Sequence, residues 1–68
     1  MTYKEAIANG WEKADMAMTR GYVSRKADIN EAECHEAKGT RKGQLYVLVP
    51  NQISTRFCYR QYLVKEEK

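Results

Sequence analysis

Apolar residues recur at spacings of three and four along the first third of the chain. Tyr3, Ile7, Trp11, Ala14 and Met18, joined by Ala6 and Ala17, trace one side of a helix, while Lys4, Glu5, Glu12, Lys13 and Asp15 fall mostly on the other. Thr2-Tyr3-Lys4-Glu5 fits a capping box, in which hydroxyl and carboxylate satisfy two backbone N–H groups at the helix start. Arg20 suits a last turn and Gly21 a left-handed stop. The pattern predicts a helix over about 3–20, with its stripe in the core and Trp11 as the largest apolar contribution. Met16 lies off the stripe and is a candidate contact residue. Asn9-Gly10 is the weak point, because Gly inside a helix costs about 1 kcal/mol relative to Ala.

The rest of the chain changes period. Tyr22 to Lys26 reads as a short strand. Residues 28–38 carry two readings. Asp28 with Glu31 imitates a helix start and favours a short helical turn, whereas the same residues also suit a polar edge strand entering a turn at Gly39 to Gly43. Gln44 to Val49 is a strand on composition, Pro50-Asn51-Gln52 a turn, and Ile53 to Val64 a longer strand rich in β-branched and aromatic residues.

Loop length decides which side chains share a face. A three-residue loop sets Val49 opposite Ile53, Val47 opposite Thr55 and Leu45 opposite Phe57. Leu45, Val47, Val49, Ile53, Phe57, Tyr59 and Leu63 then form an apolar face, and Gln44, Tyr46, Leu48, Ser54, Arg56, Cys58, Arg60 and Tyr62 the other. A two-residue loop would mix Arg56 and Arg60 into the apolar side, so the first register is preferred. The expected fold class is α+β: one N-terminal helix packed on a small antiparallel sheet of three strands, with a fourth from residues 28–38 as the alternative. Lys65 to Lys68 reads as a solvated tail.

Size and composition narrow the function. At 68 residues the chain holds one domain with little room for a deep cavity. Homodimerisation would be one way to bury more apolar surface. The longest apolar run, Leu45 to Val49, is far short of the roughly 20 residues of a membrane span, and the first residues lack the apolar core of a signal peptide. Cys34 and Cys58 read as reduced thiols of a cytoplasmic protein, with a single disulfide as the rival reading.

The chemistry-bearing residues argue against an enzyme. Cys34, His35 and Cys58 lack the paired spacing of a zinc site, so no metal is expected. One histidine without a deep cleft is a poor base for a cysteine nucleophile. Asp28, Glu31, Glu33 and Glu36 read as a solvated acidic turn. Gly39-Thr40-Arg41-Lys42-Gly43 is basic but precedes a strand where a phosphate loop needs a helix, and no cofactor is expected.

Charge segregation carries the functional expectation. Between Ala37 and Lys65 lie six cations and no acid, interleaved with Tyr46, Phe57, Tyr59 and Tyr62. A sheet face without a helix over it would present Tyr46, Arg56, Arg60 and Tyr62, extended by Arg41 and Lys42. Cations there would meet phosphates and rings would stack on bases, so the expected function is a non-enzymatic nucleic-acid-binding module. The competing reading is a protein-binding inhibitor of a host nucleic-acid-handling defence enzyme, with the same residues anchored on an acidic protein surface. A short single domain without a catalytic constellation is similar in general character to small phage or mobile-element proteins that block host enzymes.

Overall fold

In the computed structural model, which describes residues 1–65, the capping box forms as the sequence predicts. Glu5 N–H donates to the Thr2 hydroxyl at 3.3 Å, and Thr2 N–H donates to the Glu5 carboxylate at 3.0 Å. The Thr2 N–H and the Thr2 hydroxyl, which donates to Glu5 Oε1 at 3.1 Å, together hold the Glu5 carboxyl below its ordinary pKa. The helix they start, α1, spans only Tyr3–Ala8. Asn9 caps its end, and Gly10 takes φ +92°, a left-handed backbone that turns the chain out of the helix.

Beyond Gly10 the chain forms strand β1, Trp11–Arg20, where the pattern predicted more helix. The left-handed backbone at Gly10 ends the helix, and the strand that follows carries a β-bulge. Lys13 pairs with Leu63 and Met16 with Gln61, so two residues, Ala14 and Asp15, stand against Tyr62 alone. By register Trp11, Lys13, Met16 and Met18 face the α1 side of the sheet and Ala17 the other, so the apparent helical stripe divides between the two faces. Gln61 stabilises the bulge: its side-chain amide, buried in the sheet, donates to the Ala14 carbonyl at 2.9 Å. Because the stripe is not helical, its members do not share a core. Ile7 is 42% exposed and Met18 57%, Trp11 is half-buried, and only Tyr3 and Ala6 are fully enclosed.

The predicted strand at 22–26 is absent; these residues form a loop with a turn at Arg25-Lys26. Both readings of 28–38 hold in part. A short 3₁₀ turn, Ile29–Glu31, is capped by the Asp28 carboxylate accepting from Asn30 N–H at 2.9 Å, and a two-residue edge strand, β2, comes next at His35–Glu36. A second 3₁₀ turn, Gly39–Arg41, leads to β3, Leu45–Pro50. β4, Phe57–Lys65, begins later than predicted. Asn51 is the cause: its buried side chain accepts from Ile53 N–H at 2.8 Å and Ser54 N–H at 3.2 Å, building a wider loop than a three-residue turn. Ile53, predicted to face Val49, is 91% exposed. Of the tail, residues 66–68 lie outside those described.

The strands make one antiparallel, four-stranded sheet in the order β1-β4-β3-β2. Leu45 pairs with Leu63 rather than with Phe57, and Tyr46 with Tyr62. The slip from the predicted register is an even number of residues, so the division into faces survives. Val47 and Leu63 lie on the face that receives Tyr3 and Ala6 of α1, with Trp11, Ile29, Ala32, Cys34, Leu45 and Val49 around them. The chain is therefore α+β, a short N-terminal helix on an antiparallel sheet. No helix among the described residues is long and apolar enough to cross a membrane.

Candidate functional site

The sheet face opposite α1 takes its character from the strand register. Directly opposed residues of antiparallel strands point the same way, so the register lines up His35, Tyr46 and Tyr62 across β2, β3 and β4. Their rings form a tilted row, with centroids 5.4 Å apart for His35 and Tyr46 and 6.0 Å for Tyr46 and Tyr62. Two arginines lie on this row. The Arg41 guanidinium sits 3.8 Å above the Tyr62 ring and that of Arg60 4.8 Å above Tyr46, both within cation–π distance.

The two arginines differ in their electrostatics. Arg41 comes from the 3₁₀ turn before β3 and is paired across the sheet with Asp15, the bulge residue of β1. Its Nη1 donates to Asp15 Oδ1 at 2.8 Å and to Gln44 Oε1 at 3.2 Å, while Nη2 bonds Asp15 Oδ2. This bidentate pair holds the Asp15 carboxyl below its ordinary pKa and raises that of Arg41. Arg60 forms no ion pair among the described residues, and its buried Nε has no hydrogen-bond acceptor. It lines a cleft of about 300 Å³ with Glu36, Ala37, Lys38, Tyr46 and Tyr62. Lys38 reinforces its charge there, and Glu36 opposes it.

The six residues expected to bind therefore divide. Tyr46, Arg60 and Tyr62 come together, with Arg41 over them. Tyr62 is only 6% exposed, and the rings carry arginines on their faces, so they do not stand open in water as expected. Arg56 precedes β4 and leaves the face: it lies in the loop, beside Arg20, Tyr22 and Phe57. Lys42 lines a separate pocket with Met1, Trp11 and Leu45.

Sequence reasoning missed Asp15, which reads as one more polar helix residue until the bulge turns it toward Arg41. It also missed His35 in the ring row, which only the pairing of β2 reveals. Among the described residues no three His, Cys, Asp or Glu side chains cluster as metal ligands. Both cysteines are free thiols, and burial raises the pKa of Cys34, making it a poor nucleophile. No protein-family model matches the chain, and no curated protein or solved structure shows significant similarity to it.

Proposed function

We propose that the chain is a small non-enzymatic binding module whose Tyr46–Arg60–Tyr62 face contacts the phosphate backbone of nucleic acid. The observation behind this reading is Arg60. It is a cation partly withdrawn from water, held over Tyr46 and without an ion-pair partner among the described residues, although Glu36 lines its cleft, whereas Arg41 beside it is already neutralised by Asp15. A guanidinium fixed in this way has little orientational freedom left to lose when a phosphate docks. Lys38 adds a second cation at the cleft. The tyrosines hold arginines here and do not stack on bases, so the contact is with backbone charge and is indifferent to sequence.

Equilibrium binding to short DNA and RNA at low salt tests the reading. Arg60→Ala is expected to weaken binding to every sequence alike. Absence of binding by the unmodified protein to either polymer would refute it.

The stacked arginine–tyrosine pairs also favour a second reading. Preordered Arg and Tyr side chains are the residues enriched at protein-interface hot spots, and an acidic surface on a host nucleic-acid-handling enzyme has the complementary charge. Capture from host extract after nuclease treatment separates the two: a retained, specific protein partner supports inhibition, and loss of all partners supports nucleic acid.

A further inference from the structure

A second basic and aromatic site lies at the far end of the sheet, where β1 stops and β4 starts. Arg20 pairs with Phe57, and Gly21 N–H donates to the Arg56 carbonyl at 3.1 Å. Beyond that bond the segments after β1 and before β4 no longer pair. The gap is a groove of about 450 Å³ lined by Arg20, Gly21, Tyr22, Thr55, Arg56 and Phe57. That volume falls within the range of small-molecule sites, about 300–1,000 Å³. By register, Arg20 and Phe57 lie on the α1 side of the sheet, opposite the Arg60 face.

The lining differs from that of the Arg60 cleft in three ways. It contains two guanidinium groups and no acid. Neither Arg20 nor Arg56 makes a side-chain ion pair among the described residues. No cation covers Tyr22 or Phe57 among them, and Tyr22 is 70% exposed. Open rings beside two unneutralised guanidinium groups complement a ligand that joins a flat ring to a phosphate.

We infer that this groove binds a nucleoside phosphate unit, with its phosphate between Arg20 and Arg56 and its base against Tyr22. The unit is either a free nucleotide or one residue of a single strand. The site stands independently of the Arg60 face.

The test monitors backbone amide resonances of the intact protein during titration with AMP, with a short single-stranded oligothymidylate, and with inorganic phosphate. AMP or the oligonucleotide is expected to shift Arg20, Gly21, Tyr22, Arg56 and Phe57. A markedly tighter oligonucleotide identifies the strand as the source, and equal affinities identify the free nucleotide. Arg20→Ala with Arg56→Ala should abolish these shifts, and Arg60→Ala should leave them unchanged. Tyr22 lies outside every strand, so Tyr22→Ala keeps the fold; loss of one stacked ring is expected to weaken binding about tenfold. The inference is overturned if neither ligand moves these resonances, if the double variant binds as the unmodified protein does, or if inorganic phosphate binds as tightly as AMP.

Discussion

Asp15 sets the state of the basic face through one contact. Its carboxylate occupies the Arg41 guanidinium, which lies on Tyr62. Asp15→Asn removes that counter-charge and releases Arg41 for phosphate. The expected result is tighter nucleic-acid binding, with a salt dependence steeper by about one phosphate contact. The same pair has a pH signature. Because folding lowers the Asp15 pKa from its ordinary 3.8, its stabilisation is fully present above that value and is lost as pH falls through the lower folded one. Urea unfolding at pH 6 and at pH 3 should therefore show the deficit of Asp15→Asn shrinking at the acid end. Gln61 makes a different kind of contribution. Replacing it by Leu leaves the Ala14 carbonyl of the bulge without its partner, and a loss of about 1–3 kcal/mol in denaturant unfolding is expected.

Gly10 decides whether the chain continues as helix or becomes β1. At φ +92° a side chain strains the backbone, although a Cβ there would meet nothing closer than Lys65 Cε at 4.0 Å. Gly10→Ala should thus destabilise the protein by about 1–2 kcal/mol. A continuous helix over 3–20 would give the opposite sign, a gain of about 1 kcal/mol. This residue explains how much of the fold was legible. The capping box was, because it needs only Thr2 and Glu5. The faces of β3 and β4 were legible because side-chain alternation tolerates an even slip. The length of α1 was not, since Trp11, Ala14, Ala17 and Met18 keep helical spacing although the strand register sends Ala17 and Met18 to opposite faces. Nor was the wide 51–56 loop: Pro50-Asn51-Gln52 suggested a three-residue turn, but the Asn51 side chain binds Ile53 and Ser54 N–H and widens it, and Pro50 ends β3 opposite Cys58.

Over the whole molecule, stability rests on few side chains. Val47 and Leu63 under Tyr3 and Ala6 are the enclosed centre. Leu63→Ala is expected to cost about 2–5 kcal/mol, comparable with the entire stability of a domain this small, so the variant should be largely unfolded by circular dichroism. Charge distribution is also a property of the whole chain, and here the sequence was only partly informative. It located the cations but not their partners: pairing across the sheet neutralises Arg41, the loop carries Arg56 to the other end, and Lys42 turns to a different pocket. What remains is Arg60, over Tyr46 and without an ion-pair partner among the described residues, with Lys38 and Glu36 in its cleft. The most direct test of its role is the affinity for a short nucleic acid measured across a range of salt concentrations, for the unmodified protein and for Arg60→Ala. Affinity should fall linearly with salt on logarithmic axes, and the variant should bind more weakly with a slope shallower by about one. Identical affinities and slopes for the two proteins would contradict the account.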